Sequence, residues 1–389
     1  MSLIGHNLTR AKQLNRSLVL QALLQHGALS RQAIAKMTKL TPATITNITA
    51  ELLAQEWIEE TGNIQDDQGR LGRKSIALSI RKDKYLTLGV HLRSDRIELG
   101  IVNLAGEVTR LEQQPYKSYT SNKFADYLVE TIADYLQRNP QYPVSSVGIG
   151  SVGLIQHEQG IILSAKHMGW KNINVTVPLA DGLKLPVLLD NNVRAMAIAE
   201  KMYGKNKLNT DSLFVFIGRG IGAGLIFNNQ IYRGGITGAG EFGHITIDRD
   251  GIPCWCGNKG CLERYASEEA LLKSLEYSTI DEILEAVKSG DEVAEKAVLQ
   301  AADMIAGGLA SFNNVFHIQN VILAGALIEE NPVFVETIRA KMEEKSFLTK
   351  FEPVDVQTSA FGKKVGVVGA ASLSIYELLL KEKETQEWG

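Results

Sequence analysis

Cysteine is scarce in this chain: 3 in 389 residues, all between positions 254 and 261. Three thiols leave one over, and no export signal accompanies them, so a disulfide framework is excluded. Long apolar runs are missing as well. None approaches the ~20 residues of a membrane span, and residues 1–50 hold no apolar core with a cleavage site. A cytoplasmic location with no membrane partner is therefore expected. Acidic residues are absent from those first fifty positions. Residues 1–82 carry eleven Lys or Arg against six Asp or Glu, whereas the remainder carries thirty against thirty-eight. A basic front on an acidic body suits a polyanion partner for the front. With 44% hydrophobic and 22% charged residues, the composition is that of a globular protein of two or three domains.

What is present concentrates in EFGHITIDRDGIPCWCGNKGCLE, residues 241–263. His244, Cys254, Cys256 and Cys261 make one imidazole and three thiolates, the complement of a closed tetrahedral Zn²⁺ site. Four protein ligands leave no position for an activated water, so one structural ion per chain is expected. Gly257 and Gly260 permit the tight turns that bring the thiols together. Glu241 and Glu263 flank the cluster and offer rigid acceptors to a polyhydroxylated ligand. If one ring nitrogen of His244 holds the metal, the other is free to donate to a ligand oxygen.

In the front segment, Leu14, Leu18, Val19, Ala22 and Leu23 form a helical stripe over residues 10–25. Ser30 caps a short helix over 31–38, and Thr41, with Pro42 at the first position, caps a third. That spacing is a helix-turn-helix. The third helix would be the reader, with an exposed face of Thr41, Ala43, Thr44, Thr46, Asn47 and Thr49, while Ser30 and Arg31 approach the backbone. Residues 58–80 read as a two-stranded wing. Its basic tip, Arg70, Gly72, Arg73 and Lys74, suits a narrow minor groove.

The body, residues 83–389, alternates hairpin strands and helices twice, which indicates an α/β architecture of two similar lobes with a cleft between them. Ligands in such folds bind at the carboxyl ends of strands. That rule selects the loop after Gly150, Gly169 and Trp170, the Asp190-Asn191-Asn192 strand end, and the Glu241/His244/Glu263 group. Amides and carboxylates bind sugar hydroxyls, and an indole covers an apolar sugar face. Asn191 or Asn192 is equally suited to cap the following helix.

GEFGH, CWCGNKGCLE and the His–Cys–Cys–Cys spacing strongly resemble the ROK family of bacterial sugar kinases and sugar-responsive repressors, over about residues 85–380. The front segment resembles the family's repressor branch, whose members answer to sugars such as xylose and N-acetylglucosamine. The resemblance implies a winged helix-turn-helix over residues 1–82, then a two-lobed actin-like, ribonuclease H-like sugar kinase-type fold. Lobe boundaries are expected near 190–210 and 365–375. It also implies sugar contacts from Asn191, Asn192, Glu241, His244 and Glu263, with Gly169 and Trp170 nearby. Family kinases carry an Asp-x-Gly-Gly-Thr phosphate loop where this chain has His91-Leu92-Arg93-Ser94, and a catalytic aspartate where it has Asn192. Arg219 stands where kinases favour threonine. An amide does not accept a sugar hydroxyl's proton at neutral pH.

A non-enzymatic, sugar-responsive repressor follows, binding a double-stranded operator as a homodimer or tetramer. An ATP-dependent sugar kinase and a DNA-binding dimer with a vestigial cleft are the alternatives.

Overall fold

The computed structural model describes residues 8–64, 75–115, 121–204, 211–235 and 238–381. The chain opens with helix α1 (Leu8–His26), strand β1 (Leu29–Ser30), helices α2 (Arg31–Thr38) and α3 (Pro42–Ala54), and strands β2 (Ile58–Ile64) and β3 (Ser75–Ile80). Local chemistry sets these boundaries. The Ser30 hydroxyl accepts from the Ala33 amide at the start of α2, and Lys39 ends it in the left-handed region. Thr41 does the same for the Thr44 amide, with Pro42 opening α3. The three strands pair in the order β1-β3-β2. Val19, Leu20 and Leu23 of α1 bury against Ile34, Ile45, Ile48 and Leu52.

Two five-stranded sheets follow, built alike. The first holds β4 (Leu86–Leu92), β5 (Arg96–Val102) and β6 (Val108–Pro115), then helix α4 (Ser121–Gln137) and β7 (Val144–Ser151). A small sheet of β8 (Leu154–Gln156), β9 (Ile161–Ala165) and β10 (Trp170–Asn174) intervenes before helix α5 (Thr176–Leu183) and β11 (Val187–Asn191). Helix α6 (Asn192–Tyr203) leads to the second sheet, with β12 (Ser212–Ile217), β13 (Ile221–Phe227) and β14 (Gln230–Tyr232). After the cysteine segment come α7 (Glu263–Ala266), α8 (Glu268–Leu275), α9 (Ile280–Lys288) and α10 (Glu292–Phe316). Then follow β15 (Asn320–Ala324), α11 (Ala326–Glu330), α12 (Pro332–Lys345), β16 (Asp355–Thr358) and α13 (Val365–Ile375). The orders are β6-β5-β4-β7-β11 and β14-β13-β12-β15-β16: three antiparallel strands, then two parallel to the first. The repetition expected from the sequence is the same topology used twice.

Strand β4 is buried on both faces. Leu86, Leu88, Val90 and Leu92 join Phe124, Leu128 and Ile132 of α4 in one core. Its other face receives α13 so closely that a Cβ on Gly89 would stand 2.2 Å from the Val367 carbonyl oxygen. On β7, a Cβ at Gly148 would lie 1.8 Å from that of Ala370. Helices α6 and α13 pack on each other, α13 against the first sheet and α6 also against β13 of the second. The last helix starts at Val365 and widens into a π turn over Tyr376–Leu380. Among the described residues, no helix is long and apolar enough to cross a membrane.

Candidate ligand cleft and metal centre

The cysteine segment is tied down by its own backbone. Thr246 bridges Cys261, Pro253 bridges Lys259, and the Ile247 amide donates to the Gly260 carbonyl at 2.8 Å. Gly260 has φ +67°, and a Cβ there would stand 1.6 Å from the Asp248 carbonyl oxygen, so the turn demands glycine. The result is a cluster in which the donor atoms of His244, Cys254, Cys256 and Cys261 all lie within 4.8 Å of one another. A tetrahedron with Zn–S near 2.3 Å sets its sulfurs about 3.8 Å apart; Cys256 and Cys261 are separated by 3.7 Å. His244 Nδ1 is 3.6 Å from Cys254 Sγ. Burial pushes the Cys254 thiol up to about 12, a shift that a divalent cation reverses. The cluster can hold a structural ion such as Zn²⁺.

The two ring nitrogens of His244 face different ways. Nδ1 points to the sulfurs and to Glu263 Oε1 at 3.6 Å, and Nε2 lies 3.9 Å from Glu241 Oε2. Glu263 is a tenth exposed and starts α7; Glu241 is 44% exposed. Partial burial raises the Glu241 pKa, opposed by His244 and Arg194. One imidazole thus joins the metal cluster to both carboxylates. The aromatic ring beside it is Trp255, edge-on to His244 at 4.7 Å and half exposed, which the sequence did not single out as a ligand contact.

Strand β11 carries the second group of candidate residues at its carboxyl end. Asn191 is the N-cap of α6: its Oδ1 accepts from the Val193 and Arg194 amides, and its Nδ2 donates to the Gly153 carbonyl at 3.2 Å. One N–H of that amide is left for a ligand. Asn192 is 8% exposed, and its Nδ2 lies 3.3 Å from His91 Nε2. His91 Nδ1 in turn donates to Glu98 Oε2 at 2.9 Å, and Arg96 Nε donates to Glu98 Oε1 at 2.8 Å. Burial lowers the His91 pKa, against the pull of Glu98. Burial raises Glu98, but His91 and Arg96 outweigh it and hold the carboxyl at about 2. His91 and Asn192 are therefore an imidazole and an amide bonded to each other.

Across the cleft, Glu268 at the start of α8 is 7% exposed. Burial pushes it up to about 7, against Arg93 of the β4–β5 turn and Arg96 at the start of β5. Arg219 is exposed at the β12–β13 turn. A separate hollow of about 690 Å³ is lined by Ile245, Ile247, Tyr265, Met304 and Phe312, but by none of Asn191, Glu241 or Glu263.

Several expectations are corrected. Trp170 is 2% exposed and packs on Phe124 with ring centroids 4.2 Å apart, so its indole covers no ligand. Gly169 ends a 3₁₀ turn at φ +70° beside it. In the front segment Ser30 is 4% exposed with its hydroxyl used as a cap, and Thr49 is fully buried. Arg31 Nε donates to Thr49 Oγ1 at 3.0 Å, and its guanidinium reaches Glu60. Thr41 and Thr44 share a hydrogen bond of 2.9 Å, and Thr46 donates to the Pro42 carbonyl. Ala43, Thr46, Asn47 and Ala50 form an exposed i, i+3, i+4, i+7 stripe on α3. Arg70, Gly72, Arg73 and Lys74 lie outside the described residues.

Against known proteins, a model described as ROK family matches residues 87–377, and one described as MarR family matches residues 13–67. A xylose repressor of Caldicellulosiruptor bescii is 31% identical over 394 residues, covering 96% of this chain and 98% of its own. A solved ROK family transcriptional regulator, described as a homologue of the E. coli MLC protein, aligns at TM-score 0.80 and 27% identity. It covers 95% of this chain and 98% of its own. A ROK family glucokinase from Streptomyces griseus, solved with glucose and AMPPNP, aligns at TM-score 0.67 and 27% identity over 74% of this chain and 98% of its own. The two repeated sheets are thus the α/β actin-like sugar-kinase fold, and with three quarters of its length matched by one family model, the chain belongs to the ROK family.

Proposed function

We propose that this chain is a sugar-responsive transcriptional repressor that has lost kinase activity. Residues 1–82 are its winged helix-turn-helix and residues 83–389 its sugar-binding, dimerising body. Working in the cytoplasm, a homodimer presents two α3 helices to an operator of two-fold character, and a monosaccharide releases it. The sugar lies against Asn191, Asn192, Glu241, His244 and Glu263, near Gly169. Its hydroxyls meet the acceptor Glu263 and the remaining amide N–H of Asn191. Ala43, Thr46 and Asn47 face the bases, and Arg31 and Thr41 the phosphates.

The observation that carries this reading is the Asn192–His91 contact. A cleft with acceptors on one wall and no carboxylate at the base position binds a sugar hydroxyl without taking its proton. The match to a xylose repressor along nearly the whole chain supports the same conclusion. The test starts from a duplex selected out of a randomised library by the purified protein. Its affinity is then measured with D-xylose, D-glucose and N-acetylglucosamine. One of these should weaken the complex; an affinity indifferent to every sugar, or ATP-dependent phosphorylation of one of them, would sink the reading.

A further inference from the structure

Asp190 precedes the cleft residue Asn191 and is completely buried. Its Oδ1 accepts from the Asn191 amide at 2.7 Å and from Arg194 Nε at 2.8 Å. Arg194 satisfies one side of the carboxylate, yet a second arginine comes from the other sheet. Arg233, just beyond β14, donates through Nε to Asp190 Oδ2 at 2.8 Å and through Nη2 to Glu377 Oε1 at 2.7 Å. His157 closes the ring: Nδ1 donates to the Leu189 carbonyl of β11 at 2.8 Å, and Nε2 lies 3.4 Å from Glu377 Oε1. Burial raises both carboxyl groups, but the surrounding cations hold them ionised, Glu377 at about 2.

Glu377 is the second residue of the π turn Tyr376–Leu380. Such turns leave carbonyls without helical partners and recur where helices serve function. Here a helix from the other end of the chain takes one of them. Gln21 Nε2 of α1 donates to the Leu380 carbonyl at 3.0 Å, and Ser17 Oγ lies 3.5 Å from that of Leu379. Val19, Leu20 and Leu23 belong to the same apolar cluster as Tyr376 and Leu380.

The geometry points to Arg233 and Glu377 as positioning residues that link the cleft strand end at Asp190–Asn191 to the π turn on which α1 rests. This deepens the repressor reading, on which it rests for the roles of cleft and head. A ligand that shifts Asn191 displaces Asp190, whose other oxygen holds Arg233. Arg233 holds Glu377, and Glu377 sets the turn whose carbonyls orient the front helices. Buried charges joined this way move together, since separating any pair leaves an uncompensated charge inside the protein.

Two variants of the full-length chain test the link. Glu377→Gln keeps the shape and removes the charge. Amide exchange at Gln21–Leu24 should speed at least tenfold, and affinity for the selected duplex should change at least fivefold with zinc content unchanged. Gln21→Leu cuts the far end. Its binding of D-xylose, D-glucose or N-acetylglucosamine should match the wild type, while the sugar's effect on the duplex falls at least fivefold. Unchanged exchange in α1 of the Glu377 variant overturns the link, as does a full sugar response in the Gln21 variant. If the wild type answers to none of the three sugars, the repressor reading fails, and exchange in α1 alone decides the link.

Discussion

Glu268 is buried facing charges that belong to the other sheet, and its state depends on pH in a defined direction. Burial lifts it to about 7, with Arg93 and Arg96 pulling the other way, from an unfolded value near ~4.3. The folded chain therefore binds the extra proton between those values, and this group's contribution to stability falls as pH rises through about 7. Above that, the native state carries a carboxylate in a poor environment. Glu268→Gln removes it and keeps an acceptor for the Ala326 amide. The stability gain of the variant should grow from near zero at pH 4 to about 3 kcal/mol at pH 8, read by urea unfolding. A gain independent of pH would show that Glu268 does not titrate as its burial requires. Glu98 and Glu377 have the opposite sign: both are held at about 2. Their stabilisation is complete above the ordinary carboxylate range and is lost as pH falls from about 4 toward 2.

At the scale of elements, legibility followed sequence distance. The cysteine segment was readable because its ligands sit within eighteen residues and their spacing is itself the chemistry. The caps of α2 and α3 were readable because Ser30, Thr41 and Pro42 act on their own next turn. The same local chemistry misled where one side chain had two possible duties. Ser30 spends its hydroxyl on the cap, and of the two asparagines open as caps of α6 it is Asn191 that takes the duty. Trp170 was misread because adjacency to glycine says nothing about burial, whereas Phe124 of α4 arrives from forty-six residues away to cover it. The Asp190–Arg233–Glu377 ring was invisible for the same reason: the last two are 144 residues apart.

A local element also makes a local prediction. Cys256→Ser should reduce metal below one ion per chain in protein purified without chelator. It should also destabilise the body by on the order of 4 kcal/mol, because the loop has few apolar contacts to replace the ion. His244 then loses the partner that fixes its ring, and sugar binding weakens with it. A variant that keeps one ion and full stability would remove the metal from the account of the loop.

At the scale of the whole molecule, the front helices do not hang from the body by a tether. Residues of α1, α2 and α3 share one apolar cluster with Met196 and Ile198 of α6 and with Leu373 and Tyr376 near the end of α13. The same two central helices lie between the two sheets, α13 against β4 and α6 against β13. A shift between the sheets is therefore felt by the front, and DNA held by the front is felt by the sheets. Linkage makes this quantitative. If a sugar weakens duplex binding by some factor, saturating duplex must weaken sugar binding by the same factor, typically about 5–150-fold for 1–3 kcal/mol of coupling. Titration calorimetry of the responding sugar, with and without saturating selected duplex, measures one factor, and fluorescence anisotropy of the duplex measures the other. Equal factors are expected, and both should shrink together in Gln21→Leu. Factors left undiminished in Gln21→Leu would mean that the route does not run through α1, and factors that vary with protein concentration would mean that the sugar acts instead by changing the association of the subunits.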